Sequence, residues 1–365
     1  MNPETVSRNG AQGVVSRPFQ KRFLTIPKAP VCYWLRERFF KLLAGKTLGH
    51  VADVCQGLVT ANDPRFVRFV WETPTAEWAL SDHKIRWVPF EKGGGYGKWH
   101  GHHFWVVDWE LNGARIKSTP NPRVQNEKNF FREGHTYSYM ARGCLGVRKI
   151  CLRAITCDLS AGIFEKKRQQ ALSSILNSRI SSYIVHSLSA KIQLRESYVG
   201  RIPFPCHVHS SLETVEGMCV ALKRKIVSND LAEIEHAISQ YSVEKVVTET
   251  QAVLCAVEGI SENLVFNSYD LGTDDVDTIV NEVGIPAGWF PLIQGYDSLP
   301  PLPDGLPKLP PEIIDFLSRH ERQPFDPEAM NGLKRRLRAL FEPGNGFDQG
   351  RRPGYVVGAA AGVHR

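Results

Sequence analysis

The sequence predicts an α+β fold: a mixed, mainly β region flanked by helices, followed by a helical region. Three observations carry this. Strand-like apolar runs recur through residues 47–72, 84–109 and 146–164. The apolar period becomes helical from residue 168 onward. With 42% hydrophobic and 10% aromatic residues, a chain of 365 residues can also bury a substantial core.

The elements follow in order. Residues 1–25 read as a flexible N-terminus. Trp34, Leu35, Arg38, Phe39, Leu42 and Leu43 recur at helical spacing, and Gly45 stops that helix. Val51, Val54 and Leu58, then Phe66, Val67, Phe69 and Val70, predict two strands around a turn at Asn62-Asp63-Pro64. Residues 84–89 and 104–109 read as strands flanking a glycine stretch, with a tight turn at Asn112-Gly113. Two short strands are expected in 146–164 and helix in 168–188, and Pro203 and Pro205 close this half. Residues 211–260 predict a helical hairpin broken near Ser228-Asn229 and ended by Glu258-Gly259, with short helices over 262–283. Residues 298–311 are a semi-rigid proline linker and the last residues a frayed tail. The expected domains are therefore 26–205 and 206–297, with linker and tail over 298–365.

Charge divides along the same line. Residues 1–205 carry 31 Lys and Arg against 15 Asp and Glu, a net of +16. Residues 206–365 carry 14 against 23, a net of −9. A basic half of this kind suits a polyanion, and an acidic half would repel one. No apolar run is long enough to span a membrane, and the N-terminus lacks an apolar signal core. The eight cysteines are scattered, which predicts reduced, mostly buried thiols in a cytoplasmic protein.

Most enzymatic motifs are excluded by spacing. Gly45-Lys46-Thr47 imitates the end of a phosphate-binding loop, but Phe40 stands where that loop needs glycine. Gly93-Gly94-Gly95 lacks the dinucleotide spacing. His100, His102 and His103, even with Cys144, Cys151 or Cys157, form no CxxC or HxxxH pattern, so no metal site is expected. There is no GxSxG elbow, and Asp53, Asp63, Asp108 and Asp158 have no nuclease spacing. What remains is binding. Lys and Arg are interleaved with aromatics and glycines over 92–149, a composition suited to phosphate contacts and close backbone approach to a groove.

An ordered set of segments then points to a family. IPKAPVCYW (26–34), LGHVADVCQGLVTANDPRFVRFVWE (48–72), IRWVPFEKGGGYGKWHG (85–101), VVDWELNG (106–113), NFFREGHTYS (129–138) and ILNSRISSYIVHSL…GRIPFP (175–205) occur in this order. NLVFNSYDLGTDDVDTIV (263–280) adds a weaker block. Together they resemble the region after the catalytic domain in large N6-adenine DNA methyltransferases. These are the fused restriction–modification enzymes and the methyltransferases of BREX-type phage-defence systems.

The resemblance implies a target recognition domain that clasps double-stranded DNA and reads its bases, while the enzyme extrudes the target adenine. It places the Lys92–Gly101 loop near DNA or near the catalytic domain. The expected DNA contacts are Lys92, Tyr96, Lys98, Arg142, Arg148, Lys191 and Arg195. The family's glycine-rich cofactor loop and (Asn/Asp)-Pro-Pro-(Tyr/Phe) motif are missing, since the Pro-Pro pairs lie at 300–301 and 310–311. No catalytic or cofactor residue is therefore expected here. S-adenosylmethionine would sit on a separate methyltransferase subunit, or catalysis has been lost with a truncated gene. The competing expectation is a protein-interaction subunit of a defence complex without DNA contact.

Overall fold

The computed structural model describes residues 32, 35–74, 86–140, 144–189, 193–237, 243–284, 286 and 288. The expected flexible N-terminus, the proline linker and the tail lie outside these residues. The architecture is α+β, as the sequence predicts.

Helix α1 (Glu37–Leu43) buries Phe39, Phe40 and Leu43, and Gly45 follows its last turn as expected. The one-turn helix α2 (Leu48–Val51) leads into β1 (Ala52–Cys55) and β2 (Leu58–Val59). The expected turn at Asn62-Asp63-Pro64 is a single helical turn, α3 (Asp63–Phe66). Asn62 caps it by accepting the Arg65 N–H at 3.2 Å. Strand β3 (Val67–Phe69) follows.

Strands β4 (Trp87–Glu91) and β5 (Trp105–Asp108) flank the glycine stretch as predicted. They pair antiparallel with Val88 opposite Val107, and β5 continues onto β3. Every residue of β4 is buried, so it reads as a run and not as an alternation. Asn112-Gly113 does turn the chain. Leu111, Asn112 and Gly113 are all left-handed at the start of α4 (Glu110–Lys117). Next come β6 (Arg123–Val124), β7 (His135–Ser138), β8 (Val147–Lys149), β9 (Ile155–Thr156) and β10 (Ser160–Glu165). Residues 146–164 thus hold parts of three strands where two were expected.

Two four-stranded sheets result. One has the order β1-β10-β7-β8 and is antiparallel throughout. The other has the order β3-β5-β4-β9, closed by a parallel β4–β9 pair. A short β2–β6 ribbon lies beside them.

The expected helix over 168–188 is two helices, α5 (Leu172–Leu176) and α6 (Arg179–Leu188). The break falls at Asn177-Ser178, where Ser178 caps α6. After α7 (Glu196–Val199), helices α8 (Leu212–Val227) and α9 (Val243–Ser268) pack along one another. On α8, Leu212, Val215, Cys219 and Leu222 form the apolar stripe. Helix α10 (Thr273–Val283) completes the described elements.

Glu258-Gly259 does not end a helix, because α9 runs through it. A Cβ on Gly259 would come within 3.0–3.2 Å of the Gly288 backbone. That glycine serves close packing rather than termination.

One hydrophobic cluster joins Phe39, Tyr137, Ile163 and Ile184 to Leu212, Leu222, Leu254 and Val265. It crosses the expected boundary after Pro205 without interruption. The β3-β5-β4-β9 sheet has a second cluster on one face, around Val88, Phe90, Val107 and Ile116. Trp87 and Val106 form a third cluster with Val70, covered by Ile234. All eight cysteines are free thiols, six of them buried, as their spacing predicts. Among the described residues no helix is long and apolar enough to cross a membrane.

Candidate functional site

The stretch between β4 and β5 is held by backbone geometry first. Gly93, Gly94 and Gly95 have φ of +85°, +136° and +105°, conformations that side-chain-bearing residues rarely adopt. They turn the chain back along β8. Trp99 N–H then donates to Val147 O at 2.8 Å, and Lys149 N–H donates to Trp99 O at 3.0 Å. The loop is stitched to the first sheet and does not project from it.

Carboxylates from the helical half complete the seat. The Trp99 indole N–H and the Lys98 ammonium both face Glu258 of α9, the latter at 3.9 Å. Glu233 accepts the N–H groups of His102 and His103 at 2.6 and 2.7 Å. Ile234 N–H donates to His103 O at 3.0 Å. Glu235 lies 3.0 Å from His100 Nε2, and Arg224 grips both of its oxygens at 2.8 and 3.2 Å.

Beneath the loop, Glu91 on β4 accepts the Cys151 N–H at 2.8 Å. It sits 3.5 Å from His103 Nε2 and 3.8 Å from the Arg148 guanidinium. Arg148 is 0% exposed and also donates to Ser160 Oγ at 3.2 Å.

Burial sets the protonation states. It drives His102 down to about 3 and His103 down to about 4, with neighbouring positive groups adding to the effect. Burial raises the Glu91 carboxyl, and the Arg148 charge pulls against it. Hydrogen bonding from His100, helped by Arg224, holds Glu235 down to about 2.

The expected contact residues divide on this geometry. Lys98 and Arg148, expected to contact DNA, are buried in the seam, where they face Glu258 and Glu91. Lys92 is half-buried and pairs with Asp63. Tyr96 is 39% exposed, with its ring against Gly146, where a Cβ would come within 2.8 Å of the ring. Arg195 is exposed at the start of α7 and holds Gln193 Oε1 at 3.3 Å. Arg142 and Lys191 lie outside the described residues.

Sequence reasoning missed Glu91, Glu233, Glu235 and Glu258. A signal existed in Glu233-Ile234-Glu235, an apolar anchor between two carboxylates. Nothing local says where that anchor docks.

A second feature is a cleft of about 340 Å³ lined by Asp53, Cys55, Asn126, Lys128, Asn129 and Glu196, among others. Lys128 and Arg132 both act on the Cys55 thiol. Phe131 N–H donates to Ala154 O at 3.0 Å, bringing Arg153 beside them. Lys128, Arg132 and Arg153 are exposed, as is the ring of Phe131.

By sequence, the chain is a distant and partial relative of adenine-specific methyltransferases. The adenine-specific methyltransferase PglX of Lacticaseibacillus casei (strain Zhang) is 26% identical over 216 residues, 54% of this chain and 18% of PglX. The adenine-specific methyltransferase BrxX of Escherichia coli O9:H4 (strain HS) is 26% identical over 174 residues, 47% of this chain and 14% of BrxX. The chain thus aligns with less than a fifth of each of these relatives. No family model matches it.

Proposed function

We propose that this chain is the DNA target-recognition part of an adenine-specific methyltransferase of the BREX phage-defence type. Catalysis and S-adenosylmethionine would belong to a partner chain. The observation that carries the proposal is the similarity to two adenine-specific methyltransferases over about half of this chain. The exposed cations Lys128, Arg132, Arg153 and Arg195 support it, with Phe131 and Tyr96 as exposed rings. The cleft itself carries the carboxylates of Asp53 and Glu196. Phosphate contacts therefore fall to its cationic surroundings, and the exposed Asn126 amide is a group suited to a base edge.

Binding to a random-sequence duplex, followed by fluorescence anisotropy across a salt series, tests this. With six to eight phosphates neutralised, log affinity falls against log salt with a slope of roughly −5 to −7. An affinity that is flat from low to high salt rejects the proposal. One observation favours the second reading, a protein-docking subunit. Trp71 is exposed and stacked on Phe69 at 4.5 Å between ring centres, a surface suited to an apolar partner. Recovery of a methyltransferase partner after nuclease treatment, with no salt-sensitive DNA binding, would select it.

A further inference from the structure

The histidine seam contains a feature that neither DNA recognition nor simple packing accounts for. His100, His103 and Glu235 each offer one ligand atom, and those atoms lie within 4.8 Å of one another. His100 and His103 present their rings edge to face with centres 4.8 Å apart. The His103 side chain is fully buried, yet its Nδ1 has no hydrogen-bond partner. An orphaned ring nitrogen at that depth calls for an occupant.

The other edge of His103 is already arranged. Its Nε2 lies 3.1 Å from Lys149 O and 3.5 Å from Glu91 Oε1. A proton on Nε2, donated to that carbonyl and carboxylate, leaves the Nδ1 lone pair free. Such an outer hydrogen bond fixes the tautomer and raises the basicity of a metal-bound imidazole.

We infer that His100, His103 and Glu235 form a binding site for a divalent transition-metal ion of the zinc class. Two imidazoles and one carboxylate are a recognised zinc donor set, with a fourth position left to water. Tetrahedral zinc at 2.0–2.1 Å from its donors requires donor separations of about 3.3 Å. The His100–Glu235 spacing of 3.0 Å is close to this, and the donor atoms, within 4.8 Å of one another, would have to move together on binding. Glu235 Oε2 turns from Arg224 to the ion, while Oε1 keeps its guanidinium contact. The ion then ties the His100–His103 loop of the first half to the segment between α8 and α9.

Both histidines must be neutral to ligate, so binding weakens as acid protonates them. The site does not depend on DNA recognition, and the two are tested separately.

The full chain, stripped with chelator and re-equilibrated with zinc chloride, is passed through gel filtration. Bound metal is then measured by mass spectrometry and affinity by calorimetry. One equivalent is expected, and Glu235→Gln should weaken it at least tenfold. Glutamine keeps an acceptor for Arg224 but loses the charge, so the metal-free variant should melt lower than wild type, and zinc binding is compared on protein shown to be folded. His103→Asn should abolish binding, and if it does not fold, Glu235→Gln decides alone. Zinc held equally by wild type and Glu235→Gln is bound elsewhere, for instance at the exposed Cys206, and overturns the inference. So does a wild type that retains none.

Discussion

Replacing Arg148 with methionine should destabilise the protein by about 3–5 kcal/mol, the usual cost of leaving one member of a buried ion pair without its partner. The guanidinium is fully buried and faces Glu91, itself buried, at 3.8 Å. Removing it leaves the carboxylate in a low-dielectric seam, where His103 is neutral and cannot compensate. Adding Glu91→Gln should recover much of the loss. The amide is neutral, yet it still accepts the Cys151 N–H that Glu91 accepts now. Urea midpoints at constant slope, for wild type, both single variants and the double, measure the coupling directly. Equal midpoints for wild type and Arg148→Met would mean the arginine is not buried as described. The salt dependence of DNA binding by folded Arg148→Met should match wild type, because the side chain is not at the surface.

That result would mark where sequence reading went astray. Arg148, Lys98, Trp99 and the three histidines have the residue types expected of a polyanion-binding loop. The same types also build a polar seam when carboxylates approach from elsewhere. Trp99 and Glu258 are 159 residues apart, and His103 and Glu233 are 130 apart. No local pattern reports such pairings. Strands β4 and β5 were legible because they are apolar runs bounded by glycines and a turn. The α8 stripe was legible because its period is internal to it. Gly259 was misread because a glycine that lets another backbone approach looks, in sequence, like one that ends a helix.

The charge division needs the same reappraisal. Arg36 pairs with Asp274 and Asp275, Arg38 with Asp270, Lys98 with Glu258 and Arg168 with Glu213. In each case a cation of the first half meets an anion of the second. Part of the positive excess is therefore matched within the molecule. The exposed pairs contribute little stability individually. Their consequence is that the charge available to a polyanion is smaller than +16, and it lies on residues such as Lys128, Arg132 and Arg153. DNA recognition is accordingly supported more by kinship than by composition.

Acid should begin to destabilise this protein at about pH 6.5, above the range in which ordinary solvent-exposed carboxylates titrate. Burial lowers His102 and His135 to about 3 and His103 to about 4, from an ordinary value near 6.5. Between about pH 6.5 and 4 the unfolded chain takes up three protons that the native state refuses. Stability therefore falls as pH falls, by about 1.4 kcal/mol per pH unit for each histidine, or about 4 kcal/mol per unit together. Glu91, Glu216 and Glu262 work in the opposite sense, because burial raises them and the native state protonates first. Glu235, held down to about 2, adds to the acid loss below about pH 4.5. In chelator, to hold metal binding constant, the melting temperature should drop between pH 7 and pH 5, by up to about 10 °C after the opposing carboxylates are counted. His135 allows a sharper test. Both of its ring nitrogens are buried without partners, so phenylalanine fills the same space and removes two unsatisfied atoms. His135→Phe should be neutral or stabilising at pH 7, and its stability should fall with acid by about 1.4 kcal/mol per pH unit less steeply than wild type. A slope identical to wild type would mean that His135 is already protonated, or hydrated, in the native state.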